Sequence, residues 1–263
     1  MREEAFFENL LKEHQQALSC PSRTSVVEFF ETSISLLFPD YGDIRCENEN
    51  DLRSQFQLLK NKWDSIVNQR CKEINAAFPA KAEHFNLIKE LSLIKALLEK
   101  DVQAIYDGDP AAKNSLEIIK TYPGFKAIAA YRMAYLLYNN GYVLIARVIS
   151  EYAHATTGVD IHPAAKIGEH FCIDHGTGIV VGETCDIGHH VKIYQGVTLG
   201  AKSVRKEFAS RKRHPTIGNH VVIYANSTIL GGDTVIGDNS IVGGNSWITE
   251  SLAEGSTYQN IKN

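Results

Sequence analysis

The sequence has no Cys-x-x-Cys pair, no apolar run of membrane-spanning length and no excess of positive charge, and each absence removes a class of function. Its cysteines (Cys20, Cys46, Cys71, Cys172 and Cys185) are odd in number and widely spaced. That pattern fits reduced thiols better than a disulfide framework or a zinc site. No stretch approaches the roughly 20 apolar residues a membrane helix needs. The N-terminal MREEAFFENLLKEHQQ is too acidic and amphipathic for a signal peptide. A cytoplasmic protein with no membrane partner is expected. The formal charge of −4, with 22% charged residues, gives no basic bias toward nucleic acid.

What is present is a period of six. Ile161, Ile167, Ile173 and Ile179 form one series, and Val181, Ile187, Ile193 and Leu199 a second after a two-residue shift. After a break come Ile217, Ile223 and Ile229, then Leu230, Ile236, Val242 and Ile248. Glycine often follows the aliphatic, as suits a chain that turns a tight corner every six residues. A helix would show spacings of three and four and a simple strand a period of two, so neither explains a sustained six. The period predicts a left-handed parallel β-helix of roughly four to five coils, one inward aliphatic per hexapeptide. From Glu8 to about Ala155 the apolar residues instead fall at helical spacings, as in Val26, Phe29, Phe30, Ile34 and Leu37, or Leu87, Leu91, Ile94 and Leu98. The fold class expected is α+β in two domains: an all-helical domain over 1–158 and the β-helix over 159–263. Asp109-Pro110 reads as a helix N-cap with proline at the first helical position.

Two features of the repeat carry chemistry. Eight of the ten histidines lie between His154 and His220. The stretch Gly200–His214 interrupts the period with Lys202, Arg205, Lys206, Arg211, Lys212 and Arg213 against the single acid Glu207. A loop leaving a rigid solenoid is a usual place for function, and this one suits an anionic ligand or a substrate carboxylate. With only Phe208 among the charges it offers no stacking platform for nucleic acid. Asp160 and His162 flank the inward Ile161, and Asp174 and His175 follow Ile173. The triangular geometry puts Asp160 and His175 in neighbouring coils and permits a contact, in which a carboxylate would fix a histidine as general base.

The segments DIHPAAKIG (160–168), DHGTGIVVGET (174–184), VTLG (197–200) and RHP (213–215), with GDPA (108–111) and GFKAIAAYR (124–132) upstream, resemble serine acetyltransferase. That family transfers acetyl from acetyl-CoA to the hydroxyl of L-serine, giving O-acetylserine in the first step of cysteine biosynthesis. The resemblance implies His175 as catalytic base with Asp160 its dyad partner. Asp109 and Asp174 would hold the serine, and Arg213 with His214 would grip its carboxylate across a trimer interface. CoA is expected along Gly200, Ala201, Ala225 and Gly243. No metal and no cofactor beyond acetyl-CoA as co-substrate are implied. The assembly implied is a trimer, or a dimer of trimers through the helices. The stretch before Arg213 is longer and more basic than the family's glycine-rich version, so CoA contacts there are expected to differ. The chain closes with STYQNIKN, so Ile261 is not terminal, and docking to O-acetylserine sulfhydrylase through a terminal isoleucine is not expected.

The alternative is another hexapeptide acyltransferase acting on a different hydroxyl or amine, against which Asp109 discriminates by having an ammonium to meet. A γ-type carbonic anhydrase would need three zinc-binding histidines, two of them in His-x4-His; His170 and His175 have that spacing without a third histidine at a suitable distance, and His154 with His190 would demand a histidine where Gln195 stands.

Overall fold

A computed structural model of the 263-residue chain describes residues 2–18, 20–68, 85–203 and 211–259. Cys71, the middle of the basic stretch from Arg205 to Phe208, and Ile261 lie outside them.

Seven helices precede the strands among the described residues: α1 (Arg2–Gln16), α2 (Arg23–Leu37), α3 (Glu49–Asn68), α4 (Leu87–Gly108), α5 (Ser115–Thr121), α6 (Pro123–Asn139) and α7 (Val143–Thr157). Local chemistry sets their ends. Ser22, Asn86 and Asn114 cap α2, α4 and α5 through side-chain oxygens that accept from backbone N–H groups. Pro123 opens α6, and Gly158, at φ 70°, closes α7 in the left-handed region that few residues other than glycine adopt. Asp109 departs from the expected N-cap. It is the C-cap of α4, and its Oδ1 accepts from Ala111 N–H at 2.8 Å. No helix begins until Ser115, because the side chain folds its own backbone into a turn.

From Asp160 the chain winds into a left-handed parallel β-helix. The first face stacks five strands beginning at Asp160–Ile161, the second stacks four beginning at Lys166–Ile167, and the third stacks five beginning at Cys172–Asp174. Register is one coil per step, with Asp160 beside Val180, Val180 beside Thr198 and Thr198 beside Thr228. The interior holds two residues per hexapeptide, one more than the period alone revealed. Two positions before each inward aliphatic sits a second buried residue: Ala165, Phe171, Cys185, Val191, Val197 and Val221, then Ser227, Thr234, Ser240 and Ser246. The late hydroxyls bond carbonyls, Ser227 to Gly243 at 2.8 Å and Thr234 to Leu230 at 2.7 Å, so burying them leaves no orphaned donor. Two expected core positions move accordingly. Ile179 belongs to this second column, two residues before Val181, and Leu230 is only half-buried, the turn at Gly231 absorbing the shift.

The buried residues of helices and β-helix form one continuous cluster. At the joint, the Tyr131 hydroxyl donates to Ala165 O and accepts from Ile167 N–H. The guanidinium of Arg132 meets Asp101 at 2.9 Å and donates to Ile167 O and Gly168 O, while Asp101 accepts from Phe171 N–H. Each partner of this buried pair thus also bonds the β-helix backbone, which ties the helices to it. Cys20 is disulfide-bonded, correcting the reduced reading for that position, whereas Cys46, Cys172 and Cys185 are free. Burial pushes the Cys172 and Cys185 thiols up to about 12, which removes Cys172 as a nucleophile at neutral pH. Among the described residues no helix is long and apolar enough to cross a membrane, and no group of three or more His, Cys, Asp or Glu is placed to hold a metal ion.

Candidate active site

The residues singled out in the sequence gather at two different corners of the triangular β-helix. The corner between the third and first faces holds His175 and Asp174, and the end of α4 brings Asp109 to it. The backbone there is shaped by φ values of 61° at His175, 101° at Gly176 and 83° at Gly178. A β-carbon on Gly176 would stand 3.1 Å from Val159 Cγ2 and Ile173 Cγ2, so the turn lies directly against the residue before Asp160. Gly178 N–H donates to Gly158 O at 2.8 Å and Asp160 N–H to Ile179 O at 2.9 Å. The two segments are therefore adjacent, yet Asp160 makes no hydrogen bond or ion pair with His175. The carboxylate nearest that imidazole is Asp174, its Oδ1 3.8 Å from Nε2. The ring itself is 73% exposed, which leaves it open to a substrate.

Asp109 is held from two sides, accepting from the Tyr122 hydroxyl at 2.7 Å and from Ala111 N–H at 2.8 Å. The Tyr122 bond, then the Ala111 bond, hold its carboxyl below the usual range, with Lys192 and His175 adding to the effect. The same bond pushes the Tyr122 hydroxyl up to about 12. Sequence reasoning missed both Tyr122 and Lys192. Lys192 lies one coil beyond Asp174, and its Nζ reaches Asp174 Oδ2 at 2.8 Å and Gly108 O at 2.6 Å. Its signal was weak in advance, a lysine on an outward strand position being an ordinary solvated residue.

The corner between the first and second faces holds Arg213 and His214, where the chain returns from the basic stretch. Thr184 organises it: its Oγ1 accepts from Arg213 N–H at 2.9 Å and His214 N–H at 3.1 Å, and its N–H donates to His214 Nδ1 at 3.0 Å. The Arg213 guanidinium pairs with Glu183. His214 is buried, its ring filling the space a β-carbon on Gly182 would need, with Cδ2 only 2.0 Å from that point. Burial, then the charge of Arg213, pushes His214 down to about 4; burial and Arg147 do the same to His162 at this corner. His214 is thus uncharged at neutral pH, with Nδ1 as acceptor and Nε2 carrying the proton. Lys212 is tied to Asp186 at 2.6 Å.

The expected CoA residues divide the same way. Ala225 and Gly243 sit at turns of later coils along the third-to-first corner, where Asn245 N–H donates to Ala225 O; Gly200 and Ala201 lie where the first face ends and the basic stretch departs. Three further histidines line the remaining corner. His170, His190 and His220 occupy left-handed corner positions and stack in a column, with centroids 4.2 and 4.6 Å apart.

No family model matches the chain. Over 259 residues, covering 90% of this chain and 80% of the relative, it is 47% identical to a plasmid serine acetyltransferase of Synechococcus elongatus. Among solved structures it is similar to serine acetyltransferase isoform 3 of Entamoeba histolytica in complex with cysteine, at TM-score 0.74 and 37% identity, covering 89% of this chain and 82% of that one. It is also similar to a serine acetyltransferase in complex with CoA, at TM-score 0.59 and 28% identity, covering 87% and 79%.

Proposed function

This chain belongs to the serine acetyltransferase family, and on that premise we propose that it transfers acetyl from acetyl-CoA to the hydroxyl of L-serine by general-base catalysis at His175. The observation that carries the reading is the meeting of Asp109, Asp174 and an open imidazole at one corner, tied by the Lys192 bonds to Gly108 O and Asp174. An amino acid needs an anionic seat for its ammonium and a cationic one for its carboxylate. The first is this corner; the second is Arg213 with His214.

In the proposed reaction the serine hydroxyl gives its proton to His175 as its oxygen attacks the thioester carbonyl. The tetrahedral intermediate then expels the CoA thiolate, which takes the proton back from the imidazolium. Serine's hydroxyl does not ionise near neutral pH, so a positioned base contributes about 10²–10⁴ in rate. Backbone N–H groups near Gly200 and Ala201 are the candidate donors for the oxyanion. Asp160 takes part by orienting His175 once substrate closes the corner, a small rearrangement because their segments already touch.

Because the anionic and cationic seats occupy different corners of one chain, the complete site is assembled between subunits of a trimer, and a dimer of trimers through the helices is compatible with it. The test is release of CoA from acetyl-CoA in the presence of serine, against a panel of other hydroxyl and amine acceptors. Preference for serine supports the reading, and preference for a sugar or a neutral alcohol overturns it.

A further inference from the structure

Lys192 is the least explained group at the anionic corner. It points outward from the strand Lys192–Tyr194, and register sets it beside Cys172, with Tyr194 beside Asp174. Its stem crosses the end of α4 so closely that a β-carbon on Gly108 would lie 3.5 Å from Cδ and 3.7 Å from Nζ. The ammonium is held from three directions: Asp174 Oδ2 at 2.8 Å, Gly108 O at 2.6 Å and the face of Tyr194 with its centroid at 4.4 Å. Its side chain is 15% exposed.

We propose that Lys192 is a positioning residue that offsets one carboxylate charge of this corner, holding Asp174 by one oxygen and leaving its other oxygen and Asp109 for the substrate's ammonium. The inference rests on the reading that this corner seats the amino acid. The groups facing it are Asp174, His175, Tyr194 and Cys172 from the β-helix and Asp109 and Tyr122 from the helices, with Asp160 on the neighbouring segment. The fixed cation offsets one of these carboxylates, and a bound ammonium offsets a second. Burial alone would lower the lysine, but its bonds to Asp174 and Tyr194 override that and push it up to about 12, so it stays charged. It is not a stand-in that substrate displaces. A substrate ammonium would have to replace all three of its partners, whereas Asp174 Oδ1 and the Asp109 carboxylate remain on offer beside it. Without Lys192 the imidazole of His175 would face two uncompensated carboxylates, a field that favours the imidazolium, which is useless as a base.

The experiment compares Lys192→Met, Lys192→Gln and Lys192→Arg in the full-length protein, each checked for an intact thermal transition. Lys192→Gln keeps a donor for Asp174 and Gly108 O without the charge. The expected result is that Met and Gln both move the acidic limb of the kcat/KM profile for serine to higher pH by about one unit, with a fall in kcat/KM that approaches about tenfold at pH below the limb, and that Arg restores most of it. An unmoved limb in both neutral variants overturns the inference. So does a limb that moves with Met but not with Gln, which would make Lys192 a tether only. If Met does not fold, Gln alone decides. Absence of serine-dependent CoA release by the unsubstituted protein would instead sink the functional reading.

Discussion

The two corners of the β-helix that carry polar chemistry are built on opposite plans. At the third-to-first corner the charge is negative, the carboxylates come from both halves of the chain, and the imidazole of His175 is open to solvent. At the first-to-second corner the charge is positive and comes from the β-helix, its basic stretch and, beside His162, Arg147 of α7. The imidazole of His214 there is buried and held uncharged. The open, anionic corner suits proton transfer and an ammonium, and the packed, cationic corner suits fixed recognition of a carboxylate. Neither is a whole site for an amino acid, and the proposed trimer would bring one corner of each chain to the other corner of the next.

The strongest way to break the comparison is to remove one histidine from each corner. His175→Ala is expected to lower kcat for serine by at least about 10² while leaving acetyl-CoA binding in place. His214→Ala should act mainly on the serine KM. A large kcat loss in His214→Ala with His175→Ala near normal would transfer the base to the packed corner. Asp160→Asn sharpens the same point. If Asp160 orients His175 in the working site, its loss should add little to that of His175, and additive losses in steady-state kinetics would separate the two residues.

The next effect is on recognition. Arg213→Ala should raise the serine KM by roughly 10-fold or more, the loss expected for one charge-assisted contact. Chains carrying Arg213→Ala and chains carrying His175→Ala, unfolded and reassembled together, should regain about a quarter of the sites, because half of each corner type remains intact and they pair at random around a ring. Reassembly with no gain above the separate variants would put both corners of each site on one chain.

The fold was legible because a six-residue period has few physical explanations, and the helix-to-strand change at Thr156–Gly158 followed from the end of helical spacing. Legibility failed where a residue's environment came from distant chain. The second buried column ends in Ser227, Thr234, Ser240 and Ser246, residues that read as surface until their carbonyl partners are known. Asp109 looked like a cap because capping and turn formation use the same carboxylate chemistry. His175 and Asp174 were readable from adjacent letters, whereas Lys192 depends on register between coils and on the position of Gly108. The histidines concentrated between His154 and His220 are spread over the three corners of the β-helix and, for His154, the last helix.

A smaller effect concerns packing. Gly182→Ala would drive a methyl group into the His214 ring, and overpacking of this kind costs about 1–3 kcal/mol, visible as a lower melting temperature. Because Thr184 and His214 share bonds, the serine KM should rise with it. A melting temperature equal to that of the unsubstituted protein would mean that the His214 ring moves aside freely.

The smallest expected effect is a difference in how the corners respond to acid. His162 and His214 sit at about 4 in the folded chain, through burial first and then the nearby arginines, whereas an unfolded histidine titrates near about 6.5. The folded state resists protonation that the unfolded state accepts, so their contribution to stability is complete above about 6.5 and is lost as pH falls toward about 4. His190, lowered by burial and by the charges of His170 and His220, adds to the same window. At the anionic corner the depressed carboxyl of Asp109 contributes stability that is lost only at lower pH, below the ordinary aspartate value of about 3.9. Between pH 6.5 and 4.5 the melting temperature should therefore fall, and His214→Gln should flatten that fall while Asp109→Asn leaves its slope unchanged. A slope that Asp109→Asn flattens as much as His214→Gln would show that acid acts first on the open corner, and the contrast between a packed neutral imidazole and a hydrogen-bonded carboxylate would have to be reversed.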